Sequence, residues 1–187
     1  MPAGELALDP QLPAQIRAGD AFAFERCFRA MHGPLVAFTA RYVGDRARAE
    51  EVVQELFLAV WRDRETLVVS GSFRAYLYSA ARNRALNVRR RDAVERDWTD
   101  DEALDGVRVL HPSPTEPDAV LESAELQSRV TAAFATLPER CRLAMHLRWR
   151  EGLSYAEIAD VLGIGVKGVE NQLARGLKAL RARLTDP

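Results

Sequence analysis

Ser154-Tyr155-Ala156-Glu157-Ile158-Ala159-Asp160-Val161-Leu162-Gly163-Ile164-Gly165-Val166-Lys167-Gly168-Val169-Glu170-Asn171-Gln172-Leu173-Ala174-Arg175-Gly176 decides the fold. Ser154 and Glu157 have the spacing of a capping box, in which each side chain satisfies the other residue's backbone donor at a helix start. Ile158, Ala159, Val161 and Leu162 supply the apolar side of that helix. Gly163 stands where a left-handed residue stops it without a Cβ penalty. Val169, Leu173, Leu177, Leu180 and Leu184 then recur at three- and four-residue spacing, the buried stripe of a second helix. Lys167, Asn171, Arg175 and Lys178 share its other side. The pattern is a helix-turn-helix, and such a second helix lies in a major groove with amide and guanidinium groups toward bases and phosphates.

Upstream of this motif, Leu137-Pro138-Glu139 starts a helix with Pro near its first position, expected to reach about Trp149. Before it, Asp118 to Thr136 reads as helical, with Val120, Leu121, Ala124, Leu126, Val130 and Phe134 inward. From Asp92 to Pro117 helical periodicity disappears, and His111-Pro112-Ser113-Pro114-Thr115-Glu116-Pro117 cannot sustain a helix. This stretch is expected to be a linker.

The first part of the chain reads as all-helical. A short helix is expected near Gln11 to Ala18 and a longer one from Asp20 through Met31, interrupted by Gly33-Pro34 and resumed from Leu35 to Tyr42. Gly44 ends it, and Asp45 is placed to cap the next helix, which runs to about Arg62. Ala49, Val52, Val53, Leu56, Phe57, Val60 and Trp61 line one side of that helix, while Glu50, Glu51, Gln54 and Glu55 form an acidic surface open to a partner. A further helix, from about Phe73 to Arg91, is expected to bury Phe73, Leu77, Ala81 and Val88. On it Tyr76, Asn83, Asn87 and Arg90 fall within about 60° of one another, flanked by Arg82, Arg84, Arg89 and Arg91. Rings stack on bases, amides pair with base edges and guanidinium groups hold phosphates, so the strip suits unpaired nucleic acid.

Charge follows the same division. The net charge of −1 over 187 residues splits into +4 for Met1 to Arg91, −9 for Asp92 to Glu125 and +4 for Leu126 to Pro187. Two basic blocks around an acidic one are expected where each meets a different surface. Fully extended, the acidic block would span about 110 Å, whereas two turns of duplex need about 70 Å. One chain is therefore long enough to hold two separated DNA sites.

Cys27 and Cys141 lie far apart, and with His32, His111 and His146 they form no metal-ligand spacing, so no metal or other cofactor is expected and both thiols are expected to be buried. No run of 18 or more apolar residues and no basic-then-apolar leader is visible, which points to a cytoplasmic protein without membrane insertion. No convergent nucleophile or ligand set supports an enzyme acting on nucleic acid.

With these residues in place, the chain resembles the extracytoplasmic-function (ECF) sigma factors, the small promoter-specificity subunits of bacterial RNA polymerase. Ala23-Phe24-Glu25-Arg26, the run Val43 to Leu58 with Trp61, and Phe73-Arg74-Ala75-Tyr76-Leu77-Tyr78 continued by Ala80 to Asn87 resemble sigma region 2. Leu137-Pro138-Glu139-Arg140, Glu151 to Ala159, Leu162-Gly163-Ile164 and Val169 to Gly176 resemble region 4.

The resemblance implies an all-α chain of two small domains, region 2 over residues 1–91 and region 4 over 118–187, joined by a flexible acidic linker over 92–117. It implies a non-enzymatic initiation factor that binds core polymerase, recognises minus-ten and minus-thirty-five elements and promotes melting. Asp45, Glu51, Gln54, Glu55, Phe57 and Trp61 would dock on the clamp helices of the largest subunit, with the flap as a further core contact. Tyr76, Arg82, Asn83, Arg84, Asn87, Arg90 and Arg91 would engage the minus-ten element, Asn83 nearest a base turned out of the stack. Lys167, Glu170, Asn171, Arg175 and Lys178 would face the minus-thirty-five duplex. Glu170 departs from the basic or small residue many members carry, and a carboxylate there is repelled by phosphates unless it accepts from cytosine N4. The linker would thread the polymerase RNA-exit path, and an anti-sigma factor would hold the protein inactive. The competing reading is a dimeric helix-turn-helix regulator acting without core polymerase, which accounts for only the second half of the chain.

Overall fold

The structure is a computed structural model that describes residues 10–69, 71–96 and 132–185. Everything described is helix, turn or connecting loop, as the all-α expectation requires. The chain divides into two units, Met1–Leu110 and His111–Pro187.

In the first unit, α1 (Leu12–Arg17) buries Leu12 and Ile16, one turn apart. Asp20 then caps α2 (Ala21–Val43), its carboxylate accepting from the backbone N–H of Phe22 and Ala23 at 2.9 and 3.1 Å. Contrary to the expected interruption at Gly33-Pro34, α2 is one continuous helix with Pro34 inside it. Proline there removes a hydrogen bond and crowds the carbonyl four residues back, a cost of about 3 kcal/mol. Gly33, the residue before it, has no Cβ to meet the proline ring. Met31, Leu35, Val36 and Phe38 on both sides of Pro34 are buried. At about 1.5–3 kcal/mol per buried large side chain, that packing outweighs the lost bond.

Gly44 closes α2 at φ 76°, and Asp45 opens α3 (Arg46–Arg62) by accepting from the Arg48 N–H at 2.9 Å. After a short turn at Arg64–Thr66 comes α4 (Phe73–Arg96), which runs past the expected Arg91. Helices α2, α3 and α4 pack on one another around a ring cluster. Phe24 and Phe28 meet Phe57 at 6.0 and 4.9 Å, Phe24 meets Trp61 at 4.9 Å, and Phe38 meets Tyr78 edge-to-face at 4.9 Å. Arg17 ties α1 to the connecting loop by donating to the Leu67 carbonyl at 2.7 Å.

In the second unit, residues 132–135 are helical, and the remainder of the helix expected over Asp118 to Thr136 lies outside the described residues, as does the linker from residue 97. Pro138 precedes α5 (Glu139–Met145), which widens into a π-turn over His146–Arg150, closed by Glu151 N–H to His146 C=O at 3.2 Å. Buried Arg142 donates to Glu139 at 2.6 Å and to the Ala135 carbonyl at 3.3 Å, fastening the preceding turn.

The capping box is formed: Ser154 Oγ accepts from Glu157 N–H at 3.3 Å and Glu157 Oε2 accepts from Ser154 N–H at 2.8 Å, starting α6 (Tyr155–Leu162). Gly163 ends it at φ 63°, and α7 (Val166–Thr185) follows. Ile158, Val161, Val169, Leu173 and Leu180 share a core with Cys141, Met145 and Leu147. Leu177, expected in the buried stripe, is 36% exposed. It sits at the edge of the stripe, and the neighbouring Gly176, with no side chain, faces Met145 and Cys141 of α5. A Cβ on Gly176 would collide with Met145 Sδ, so any side chain here forces Met145 to move at the crossing of α5 and α7.

Candidate nucleic-acid interface

Three helix faces carry the residues singled out in the sequence. The first is the strip on α4. Ser72 caps that helix by accepting from the Ala75 N–H at 3.2 Å, a cap the sequence reading passed over. Leu77, Tyr78, Ala81 and Ala85 are fully buried or nearly so, which turns the opposite side of the helix outward. On that outer side Tyr76 is half-buried and stacked on Phe73, with ring centroids 5.9 Å apart and planes at 14°. Asn83, Asn87, Arg90 and Arg91 are exposed, while Arg82 and Arg84 are half-buried. Asp63's carboxyl is held below its ordinary value by its hydrogen bonds from Arg62, and the Arg84 charge adds to this. The strip is thus an aromatic ring fixed at one end, exposed amides in the middle and guanidinium groups at the other end. That arrangement can stack a base, pair with its edge and hold phosphates.

The second face lies on α3. Glu51, Gln54 and Glu55 are exposed, on the side of the helix turned away from the buried row Ala49, Val52, Val53, Leu56 and Val60. Phe57 was expected among these docking residues, and here the expectation needs correcting: at 2% exposure Phe57 is a core ring touching Phe24 and Phe28. Trp61 is half-buried, packed on Phe24 and covered by the Arg64 guanidinium 4.7 Å from its ring. Asp45 is exposed but its carboxylate is engaged in capping.

The residue missed is Leu58, 70% exposed in the middle of the acidic face. It stands four residues after Gln54 and three after Glu55, so helical spacing alone places it there. An apolar side chain ringed by carboxylates and an amide is the composition of a contact that buries one anchor inside a polar rim.

The third face is on α7 in the second unit, where Lys167, Glu170, Asn171, Arg175 and Lys178 are all exposed. Behind them Cys141 Sγ lies 3.0 Å from Gln172 Oε1, linking α5 to α7 beneath the polar side. Near the start of α6, Arg148 sits over the Tyr155 ring at 5.4 Å and donates to the Leu153 carbonyl at 3.0 Å, stiffening the entry to the motif.

Burial pushes the Cys27 thiol up to about 12 and raises that of Cys141 as well, so both remain protonated and unreactive at neutral pH. Among the described residues no group of three His, Cys, Asp or Glu side chains could hold a metal ion, and no helix is long and apolar enough to cross a membrane.

Comparison with known proteins bears on all three faces. The Sigma-70 region 2 family matches residues 27–94, which include α3 and most of α4, and the Sigma-70, region 4 family matches residues 127–180. The RNA polymerase sigma-H factor of Pseudomonas aeruginosa is 30% identical over 177 residues, 92% of this chain and 91% of that one. The ECF RNA polymerase sigma-E factor of Escherichia coli is 29% identical over 183 residues, 94% of each chain. Among solved structures, CnrH in complex with the cytosolic domain of CnrY aligns with a TM-score of 0.56 and 27% identity, over 96% of this chain and 99% of that one. The sigma factor RpoE in complex with the anti-sigma factor NepR from Bartonella quintana aligns with a TM-score of 0.62 over 88% of this chain and 98% of that one. At 20% identity this second likeness is one of fold.

Proposed function

The chain belongs to the ECF branch of the sigma-70 family, and from that premise we propose a division of labour among its three faces. Glu51, Gln54 and Glu55, with Leu58 as apolar anchor and Trp61 at the edge, dock on the clamp helices of core RNA polymerase. Asp45 sets the start of that helix, and Phe57 supports it from the core. The α4 strip of Tyr76, Asn83, Asn87, Arg90 and Arg91, flanked by Arg82 and Arg84, receives the unpaired minus-ten strand. Lys167, Glu170, Asn171, Arg175 and Lys178 face the minus-thirty-five duplex, with the flap of core polymerase as a further partner of region 4.

The observation that carries this reading is the α4 strip itself. A solvent-facing row of ring, amides and guanidinium groups is backed by a buried core and shares a unit with an acidic docking helix. Turning a base out of the stack costs a few kcal/mol, and the strip offsets it by stacking, edge pairing and phosphate contacts. The work is done by binding, without bond chemistry. Region 2 over residues 1–91 and region 4 over 118–187 would act at two sites joined by the acidic segment, in the cytoplasm, with an anti-sigma factor covering the polymerase-binding surfaces in the inactive state.

Gel filtration with purified core polymerase tests the proposal against a free-standing helix-turn-helix regulator. A sigma factor co-elutes with core and binds promoter duplex weakly when alone. A chain that ignores core and binds duplex as a dimer contradicts the proposal.

A further inference from the structure

Along the buried side of α4, Leu77, Ala81, Ala85 and Val88 recur at four- and three-residue spacing, and the next position in that row is Asp92. A carboxylate therefore occupies a core-register position, and its side chain is only 18% exposed. It meets Arg48, from the first turn of α3: Arg48 NH2 donates to Asp92 Oδ1 at 2.7 Å. The Arg48 guanidinium is held above its ordinary value by that hydrogen bond first and by the Asp92 charge second, with Asp45 and Glu51 adding to it.

This contact lies where α4 runs out of core. Ala85 is the last residue of α4 that is fully buried, and among the described side chains after Val88 none is. Yet Asn87, Arg90 and Arg91 of the strip lie on this last stretch. Asp92 is almost opposite the strip around the helix axis, at about 160° from Tyr76, so a bond to it holds the helix from behind while leaving the strip open.

We propose that Arg48 and Asp92 are a positioning pair, which fastens the C-terminal third of the strand-binding helix α4 to the polymerase-docking helix α3. The pair would keep Asn87, Arg90 and Arg91 in fixed geometry relative to the docking face. Binding energy gained at the polymerase is then delivered to the separated strand and not lost in fraying of the helix end. The inference rests on the division of labour proposed above, with Arg48 and Asp92 outside both contact sets.

The test uses the full chain bound to core polymerase on a promoter recovered by run-off transcription. Arg48→Met removes the donor of the bond and Asp92→Ala its acceptor. The expected result is a loss of about twofold to fivefold in open-complex formation, the range for a partly exposed ion pair, with core affinity unchanged. The double variant should be no worse than either single one, and Arg48→Lys should recover part of the loss. Amide exchange in the free protein should rise over residues 86–93 without a comparable rise in α2. Wild-type open-complex formation by both single variants overturns the inference, as does additive loss in the double variant. Failure of the wild-type protein itself to open any promoter would strike instead at the function proposed above.

Discussion

The strip on α4 and the polar face of α7 are both basic helix faces, but they are held in different ways. The strip lies on a helix that packs against α2 and α3, with Tyr78 fully buried behind it and Tyr76 already stacked on Phe73. The α7 face has every one of its five candidate side chains exposed, above a smaller core that depends on Val169, Leu173, Leu180 and the bare backbone of Gly176. The contrast matches what the two proposed roles demand. A melted strand has no shape of its own, so the protein must present a rigid surface that stacks and pins it. Duplex DNA presents an ordered groove, and long side chains free to adjust suffice to read it once the helix is correctly placed.

That contrast can be broken most forcefully at the α5–α7 crossing. Gly176→Val places carbon where Met145 Sδ now lies and should destabilise the second unit by about 1–3 kcal/mol or more, with Gly176→Ala milder. Thermal unfolding followed by circular dichroism reads the effect, and Met145→Ala in the same chain should relieve part of it. A Gly176→Val protein as stable as wild type would mean that the close approach carries no weight.

Asn83→Ala addresses the other face. As the exposed amide central to the strip, it should cost roughly 1–3 kcal/mol in strand engagement, read as slower open-complex formation with core affinity intact. Equal transcription by wild type and variant on linear and supercoiled templates removes Asn83 from the site. Arg175→Ala sharpens the difference between the faces, because a base-reading arginine should lose about 1–3 kcal/mol at one base pair and relax preference there. Loss spread evenly over all sequences would make it a phosphate contact.

An effect of a different kind concerns the core of the first unit. Above the ordinary thiol value of 9.0 an unfolded chain releases the Cys27 proton, whereas the folded chain keeps it to about 12. Stability is therefore unaffected by this group below that window and falls as pH rises through it. Urea unfolding at about pH 8 and about pH 10.5 should show this decline, and Cys27→Ala should flatten it. An identical pH slope in the variant would assign the decline to other groups.

Much of this architecture was legible in advance because local rules and tertiary packing agree. Ser154 and Glu157 form the capping box their spacing announces, and Gly44, Asp45 and Gly163 punctuate the helices where their backbone preferences place them. The reading failed where packing overrode a local rule. Pro34 lies inside α2 because the apolar residues on either side are anchored in the core, which no local propensity reports. Phe57 was given two roles, core and docking, and the ring cluster with Phe24 and Phe28 leaves it only the first. Leu58 was overlooked although its spacing puts it on the acidic face, because an exposed leucine carries no signal until the helix is oriented. Gly176 and the Arg48–Asp92 pair depend on contacts across long separations in the chain, and only the folded structure brings those residues together.

Run-off transcription with purified core polymerase on genomic fragments tests the central claim most directly. Addition of this chain should produce discrete transcripts whose upstream regions share paired minus-ten and minus-thirty-five elements, and core alone should produce none. Absence of any chain-dependent transcript, together with no association with core, would contradict the account.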